Sequence, residues 1–327
     1  MSAFTRVLKF SALFVASSFL VANAQTYPTR TISIIVPYPP GGGTDSGVRP
    51  LVNAVSEILG QPVIVDNRPG GNTFIGMNAC AKAPPDGYTL CVTNADSLAF
   101  GPYVFNRIPY DPVKDLVGVT KLVTPPNGLF ISGQLPYTTL KQVVDYAKSN
   151  PGKLNFGTYG AGTGGHMYVE WFRHKLKTEM THVPYRGAAP IIPALINNEV
   201  QISWLALPTV LPHLKTGRIK AIALDAPTRS AQVPDVPTLA ELNSSPNIQT
   251  YLGLYAPAGT PAAVIARLNA AFSTVLRDPR TRENLSGLLF EPTPSTSDEI
   301  NRSRREEAEN ARRLTSDIGL KPLDLPE

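Results

Sequence analysis

The chain has 327 residues, of which 43% are hydrophobic and 17% are charged, and it contains 30 basic and 25 acidic residues. The resulting net charge of +5 favours an anionic small molecule as ligand, but the basic residues do not form the stripe that nucleic-acid binding requires. We therefore expect no nucleic-acid partner. The length is sufficient for two compact domains.

The first residues have the pattern of a secretory signal peptide. Arg6 and Lys9 precede an apolar run over residues 10–22, and Ala22-Asn23-Ala24 forms a small-residue cleavage site. Removal of residues 1–24 leaves 28 basic and 25 acidic residues, a net charge of +3. No other stretch approaches the ~20 apolar residues of a membrane-spanning helix. The sequence therefore predicts an exported protein.

Residues 32–59 predict a strand, a glycine turn and a helix. The β-branched run 32–36 suits a buried parallel strand, and three consecutive glycines at 41–43 follow it where the chain turns. Apolar residues at helical spacing continue to Leu59, and Asp45 could cap this helix. The N–H groups of the turn and the positive end of the helix dipole would form an anion seat. The alternative is that the glycines only permit a tight turn.

The next elements predict a parallel βαβαβ unit, with strands at residues 62–66 and 88–93 and a helix at 73–83. Strand ends at Tyr38–Asp45 and Asn94–Ser97 then lie at one edge of a sheet, where α/β folds bind ligands. Cys80 and Cys91 are the only cysteines, and in an exported chain such a pair predicts a disulfide. We expect a turn-rich passage at residues 106–123.

The second half repeats the opening pattern. A strand at residues 154–157 enters the glycine-rich turn Thr158–His166, and a helix follows. Because this turn lies in what is predicted to be a second domain, it favours a cleft shared by two domains. Crossings near Thr124 and Tyr251 would form a two-strand hinge. Further strands are expected at 129–132, 181–185, 200–205, 220–225 and 251–255, and helices at 139–149, 209–215, 261–276 and 297–318.

Known catalytic and cofactor motifs do not fit this chain. The opening glycines depart from GxGxxG at Ser46, and no P-loop lysine follows them. Neither a GxSxG nor an HExxH motif is present. His166, His174 and His182 are eight residues apart, which is not a metal-ligand spacing. The sequence predicts no metal site, no cofactor and no catalytic residue.

Several motifs together resemble the Bug family, the periplasmic solute-binding proteins of tripartite tricarboxylate transporters. In chain order they are VPYPPGG at 36–42 with Asp45 and Arg49, NRPGG at 67–71, APPDGYTL at 83–90, PYDPVKDL at 109–116, residues 157–166 with Glu170 and Phe172, and HVPYRG at 182–187. The resemblance covers nearly the whole chain after residue 24.

The resemblance implies an α/β fold of the periplasmic binding protein type (type II, flytrap), in which two α/β lobes are joined by two crossover strands. The first lobe would comprise residues 25–124 plus 252–327, and the second lobe residues 125–251. Such a protein closes on a small carboxylate in the periplasm. It then delivers the ligand to a membrane permease of one large and one small subunit, and is expected to be a monomer and not an enzyme.

The resemblance also implies the ligand-binding residues. The first lobe would contribute Tyr38, Gly41, Gly42, Gly43, Thr44, Asp45, Asn94, Asp96 and Ser97. The second lobe would contribute Thr158, Tyr159, Gly160, Ala161, Thr163, His166, Tyr185, Arg186, Trp204, Leu205 and Ala206. Many relatives have an aspartate where this chain has Leu205 and Ala206, so we expect a more apolar cleft and a carboxylate with a hydrophobic or aromatic body.

Several of these residues have a structural alternative. Asp45 could act only as a helix cap, and Arg49 as a supporting surface residue. His166 could be a hydrogen-bonded structural residue, whereas Arg186 is the better cation for a second carboxylate. Trp204 is expected in or beside the cleft.

The predicted function is capture of a small carboxylate, aliphatic or aromatic, and two facing anion seats favour a dicarboxylate with one end per lobe. One alternative is an exported hydrolase of small esters that uses a nucleophile such as Ser97, although no base or orienting acid can be assigned to it. Another is a sensory protein whose closed form docks on a receptor.

Overall fold

A computed structural model describes residues 27–226, 228–248 and 250–324, without the side chain of Asp96. The predicted signal peptide, residues 1–24, lies outside these described residues. Of the helices in this part of the chain, none is both long enough and apolar enough to cross a membrane.

The chain first builds most of a six-stranded sheet. Strand β1 lies between β2 and β3 and is parallel to both, which confirms the predicted βαβαβ unit. The apolar side chains of Ile32, Ile34 and Val36 on β1 are fully buried, as expected for a central parallel strand. The elements up to the first crossing are β1 (Ile32–Val36), α1 (Gly43–Val48), α2 (Val52–Leu59), β2 (Val63–Asn67), α3 (Phe74–Ala81), β3 (Thr89–Asn94), α4 (Ala95–Val104) and β4 (Leu116–Thr124).

A second sheet of five strands follows, in the order β7-β6-β8-β5-β9. Strands β7 and β8 flank β6 in parallel, whereas β5 is antiparallel to β8 and β9. The elements are β5 (Asn127–Ser132), α5 (Leu140–Ser149), β6 (Leu154–Thr158), α6 (Gly164–Leu176), β7 (Met180–Pro184), α7 (Ile191–Ile196), β8 (Ile202–Ala206), α8 (Leu207–Lys215) and β9 (Ile219–Asp225).

The chain then returns to the first sheet, whose full strand order is β11-β4-β10-β3-β1-β2. Strand β10 is antiparallel to both β3 and β4, and the last helix packs against α4 and β4. The two passages between the sheets run from Thr124 to Asn127 and from Asp225 to Leu252. The returning elements are β10 (Leu252–Pro257), α9 (Ala262–Arg277), α10 (Pro279–Gly287), β11 (Glu291–Pro292) and α11 (Ser297–Asp317).

Two sequence predictions about local structure were wrong. The helix expected after the glycine turn is broken into α1 and α2 by a 3₁₀ turn at Arg49–Leu51, because Pro50 lacks an N–H group and its ring disfavours a continuous helix. Residues 116–123 were expected in a turn-rich passage but belong to β4. Gly118 on this strand leaves room for Ile300 of α11, whose Cγ2 would lie 2.5 Å from a Cβ at that position.

The predicted disulfide is present. Cys80 on α3 is bonded to Cys91 on β3, the two Cα atoms are 6.0 Å apart, and both residues are fully buried. The bond fixes α3 to the strand that carries Asn94 to the edge of the sheet.

Candidate functional site

A cavity of about 40 Å³ lies between the two sheets, beyond the carboxyl ends of β1, β3 and β8. This volume holds about three water molecules. None of the described lining residues has a charged side chain. The lining consists of Tyr38, Pro39, Gly42, Gly43, Thr44, Asn94 and Leu252 from the first sheet and its loops, of Pro125 and Asn127 at the first crossing, and of Tyr159, Ala188, Ala189, Ala206 and Thr209 from the second.

Three helices begin in the wall of this cavity. Gly42 is the N-cap of α1, Asn94 that of α4 and Ala206 that of α8, and none of these helices is capped by the side chain of its N-cap residue. The first N–H groups of a helix have no partner within the helix, and the dipole places partial positive charge there. The first N–H of α4 (Ala95) donates to the Tyr251 carbonyl and that of α8 (Leu207) donates to the Pro126 carbonyl, so these two helices contribute positive potential rather than a free first donor. The cavity therefore offers an anion a positive potential without a cationic side chain.

Asp45 holds the glycine turn in shape. It is not the N-cap, which is Gly42, but lies in the first turn of α1 with 4% of its surface exposed. Its carboxylate accepts hydrogen bonds from the Gly41 N–H (3.1 Å), from Arg49 (2.5 and 3.0 Å) and from Asn67 Nδ2 (3.0 Å). Burial would raise the pKa of Asp45, but these hydrogen bonds and the Arg49 charge hold it below its usual value. All of these hydrogen bonds come from groups of the protein itself, so Asp45 supports the turn from behind.

Two further hydrogen bonds tie the turn to α4. The Tyr38 hydroxyl lies 2.8 Å from Ser97 Oγ, and Thr44 Oγ1 donates to Asn94 Oδ1 at 2.9 Å. Ser97 is 6% exposed, and its partner is a phenol rather than a base, which offers no support for a nucleophilic role. The turn after β1 and the N-terminus of α4 thus form one rigid assembly, which we call the first seat.

The glycine turn of the second sheet is held by its own threonines. Thr163, the N-cap of α6, donates from Oγ1 to the Gly160 carbonyl at 2.8 Å, and the Thr158 hydroxyl donates to the same carbonyl at 3.2 Å. Gly160 and Gly162 have φ values of +139° and +74°, which other residues rarely adopt. These constraints fix the position of Tyr159, the residue of this turn that lines the cavity.

His166 lies behind the turn and does not line the cavity. Its Nδ1 accepts the Gly162 N–H at 3.1 Å, so the ring proton is on Nε2, which faces Glu170 Oε1 at 3.6 Å. The ring stacks on His182 with centroids 4.3 Å apart. Burial and the neighbouring His166 lower the pKa of His182 to about 3, and its Nε2 lies 2.6 Å from Thr158 Oγ1. The pair supports the turn from behind.

The end of β8 contributes only one of its three predicted residues to the cavity. Trp204 is fully buried and lies behind Tyr159, with ring centroids 6.0 Å apart, and it stacks on Tyr168 at 5.4 Å. Leu205 points to the opposite face of the sheet and packs in the core. Ala206 reaches the cavity wall.

Tyr185 and Arg186 line an adjoining cavity rather than the central one. This second cavity is also about 40 Å³, and it shares Tyr38, Pro39 and Tyr159 with the first. Arg186 is exposed and has no ion-pair or hydrogen-bond partner among the residues that the structure describes.

The two lobes touch across the cleft at glycines. A Cβ added at Gly43 would lie 3.6 Å from Ala206 Cβ, one at Gly187 would lie 3.0 Å from Pro39 Cδ, and one at Gly160 would lie 2.7 Å from Asn72 Oδ1. The first of these is an ordinary contact, whereas in the other two the neighbouring proline ring or asparagine side chain would have to shift. The structure is therefore that of a closed cleft.

The predicted residues separate into three groups. The first group lies in the wall of the central cavity and consists of Tyr38, Gly42, Gly43, Thr44, Asn94, Tyr159 and Ala206. The second group supports this wall or lines the adjoining cavity and consists of Gly41, Asp45, Ser97, Thr158, Gly160, Thr163, Tyr185 and Arg186. Ala161, His166, Trp204 and Leu205 pack behind the wall. The side chain of Asp96 lies outside the described part of the chain.

Sequence reasoning missed the residues at the crossings. Asn127 is 3% exposed, lines the cavity and donates to Thr250 Oγ1 of the returning passage at 2.6 Å, so it links the two crossings at the cleft. An asparagine directly after Pro125-Pro126 and before an apolar strand was the available signal. Thr209, Ala188 and Ala189 were also missed, because a loop residue next to a cleft has no periodic pattern.

Comparison with known proteins identifies the relationship. Residues 48–320 match the model of the tripartite tricarboxylate transporter family receptor (TctC). The chain belongs to this receptor family. The BugT protein of Bordetella pertussis is similar to the receptor, with 33% identity over 299 residues that cover 90% of this chain and 92% of BugT.

Solved structures extend the comparison. MatC from Rhodopseudomonas palustris, with bound malate, is 30% identical with a TM-score of 0.82, over 89% of the receptor and all of MatC. An R. palustris protein with adipate is 29% identical with a TM-score of 0.85, over 91% of the receptor and all of that chain. The periplasmic binding protein BugD is 25% identical with a TM-score of 0.84, over 91% and 100%.

These relationships confirm the predicted family and the predicted fold of two α/β lobes joined by two crossovers. The receptor family consists of solute-binding proteins and not of enzymes, and nothing in the comparisons supports the hydrolase alternative. The family and its periplasmic relatives imply a periplasmic location for this receptor.

Proposed function

We propose that this receptor binds a small carboxylate, specifically a dicarboxylate, in the central cavity and presents it to the membrane subunits of a tripartite transporter. The observation that carries the proposal is the convergence of three helix N-termini on a cavity without charged side chains. Helix N-termini are general anion seats. The binding of malate by MatC and of adipate by its R. palustris relative supports the same ligand class.

The two ends of the ligand would contact different lobes. One carboxylate lies at the start of α1 beside Asn94, the N-cap of α4, and the other lies at the start of α8 beside Thr209. The Thr44 and Thr209 hydroxyls donate to Asn94 Oδ1 and to the Ala206 carbonyl, and so hold these two walls in shape. Both ends together then favour the closed cleft, because each lobe alone provides only half of the site. Residues 25–124 with 252–327 move as one body in this scheme, and residues 125–251 as the other.

The details of export and docking belong to the same proposal. Cleavage after Ala24 releases a monomer into the periplasm, and its closed form docks on one large and one small permease subunit. A first residue of Gln25 in the exported protein and a monomer mass in light scattering are the expected results. A sensory role would instead leave uptake of the ligand intact when the gene is deleted.

A thermal-shift panel with mono- and dicarboxylates, amino acids and sugars tests the ligand class. A ligand at 100 times its Kd is expected to add ~2.7 kcal/mol to the unfolding free energy, a shift of several degrees. If amino acids or sugars shift the melting temperature and no carboxylate does, the proposal is wrong.

Thr44→Val tests the position of the seat. It keeps the side-chain shape and removes the hydroxyl that donates to Asn94 Oδ1 in the cavity wall, so the N-cap of α4 loses a support. We expect up to ~10-fold weaker binding, the equivalent of one hydrogen bond. The matched control is Thr274→Val on α9, whose hydroxyl donates to the Ala270 carbonyl within its own helix. Equal affinity in both variants would contradict the assigned seat.

A further inference from the structure

The two adjoining cavities differ in charge but share a wall. The central cavity has no charged side chain among its described lining residues, whereas the adjoining one has a single charged residue, Arg186. Tyr38, Pro39 and Tyr159 line both. A ligand long enough to extend from the first cavity into the second would meet an unpaired guanidinium there, the group best suited to a carboxylate.

Tyr159 is the part of this wall that the second lobe contributes. Of the described residues, it alone packs against all three hydrophobic clusters of the molecule, and one of these clusters is the core of the first lobe. Trp204 lies behind the ring at 6.0 Å and is itself stacked on Tyr168. The tyrosine therefore crosses the cleft and is supported from behind, so its ring acts as a fixed partition.

The other two residues that line both cavities have further structural roles. Tyr38 is 7% exposed and its hydroxyl bonds to Ser97, so it belongs to the rigid first seat. Pro39 lies against Gly187 of the other lobe, where a Cβ would be 3.0 Å from its ring. A change at either residue would disturb the seat or the contact between the lobes. Tyr159 belongs to the turn of the second lobe, so a change there leaves the Tyr38–Ser97 and Thr44–Asn94 hydrogen bonds of the first seat in place.

We propose that Tyr159 sets the chain length of the dicarboxylate, an inference that rests on the proposed function. With the ring in place, the site accepts a short dicarboxylate that lies wholly within the central cavity, and Arg186 remains out of reach. A longer dicarboxylate must displace the ring from both lobes before its second carboxylate can contact Arg186.

Calorimetric titration with straight-chain dicarboxylates from malonate to azelate tests the inference. The wild-type protein is expected to bind the shorter members at least 10-fold more tightly than the longer ones, and Tyr159→Phe, which keeps the ring, is expected to show the same order. Tyr159→Ala is expected to bind the longer members at least 10-fold more tightly than the wild type does. Arg186→Gln in the Tyr159→Ala background is expected to abolish this gain.

Each other outcome overturns a defined part of the argument. If Tyr159→Ala weakens all lengths by the same factor, the ring only packs the lobes together and does not select length. If the preferred length changes but Arg186→Gln has no effect in that background, the adjoining cavity is not the extension. If Tyr159→Ala does not fold, Tyr159→Leu removes the ring while keeping apolar packing and is judged by the same criteria. If no dicarboxylate of any length binds the wild type, the proposed function fails, which is distinct from binding with an unchanged order.

Discussion

Asp225→Asn is expected to stabilise the protein at neutral pH but not at acidic pH. Asp225 ends β9, where the chain leaves the second sheet, and its carboxyl lies beside the Tyr168 hydroxyl and the Trp204 indole N–H. Neither donor reaches good hydrogen-bond geometry with Asp225 Oδ2. Burial raises the pKa of Asp225 to about 6, and the two neighbouring groups offset only part of this increase.

The size of the effect follows from linkage. The pKa of an aspartate in the unfolded chain is about 3.9, so the shift is roughly two units, or ~3 kcal/mol at ~1.4 kcal/mol per unit. Between about pH 4 and pH 6 the folded protein holds a proton that the unfolded chain has lost. The contribution to stability is therefore fully present below the unfolded pKa and is lost as the pH rises through 6.

Urea unfolding followed by circular dichroism measures this contribution. Asp225→Asn carries no charge, so its gain over the wild type is expected to approach ~3 kcal/mol at about pH 7.5 and to vanish near pH 4. Asp145→Asn is the control, because it removes an exposed carboxylate whose ion pair with Lys141 contributes at most ~1 kcal/mol. A difference between Asp225→Asn and the wild type that does not depend on pH would refute the reasoning.

Three further changes have defined outcomes. Gly43→Ala places a methyl group in the central cavity at ordinary contact distance from Ala206. We therefore expect carboxylate binding, measured by titration, to weaken at least ~10-fold. The melting temperature, measured by thermal unfolding, is expected to stay within a few degrees of the wild type. Because burial and His166 lower the pKa of His182 to about 3, the contribution of His182 to the unfolding free energy falls as the pH drops from about 6.5 toward 3. His182→Gln is expected to lack this loss, so its stability relative to the wild type rises over that range; a difference that does not depend on pH would contradict it. Removal of the Cys80–Cys91 disulfide by a double alanine substitution is expected to lower the unfolding free energy by ~3 kcal/mol, because the bond closes a loop with a sequence separation of 11 residues. Equal stability of the oxidised and the reduced wild type would contradict this expectation.

The fold was predictable where local signals agree with one another. Ile32–Val36 combines β-branched residues with a following glycine turn, and the structure has a strand and a turn there. Helix α4 was missed because Gly101 and Pro102 lie inside it and its apolar residues show no single face. It forms because Tyr38, Thr44 and α11 pack against or bond to it, and these contacts are distant in sequence.

The site was predictable to the level of loops but not of side chains. Trp204, Leu205 and Ala206 follow one another on β8, and the period of two places neighbours on opposite faces without indicating which face meets the cleft. In the structure, Trp204 packs on Tyr168 on one face of β8, and Leu205 packs in the hydrophobic cluster on the opposite face of the sheet. Asp45 likewise was recognisable as important, but its bonds to Gly41, Arg49 and Asn67 depend on how the turn folds back on β2.

The packing of Trp204 behind Tyr159 has a practical consequence. The chain contains only two tryptophans, and a Trp171→Phe variant would leave Trp204 as the single indole, one aromatic ring away from the ligand. Any ligand that moves Tyr159 changes the environment of this fluorophore without touching it. The receptor thus contains its own optical reporter, and variants with altered selectivity could serve directly as label-free sensors for organic acids.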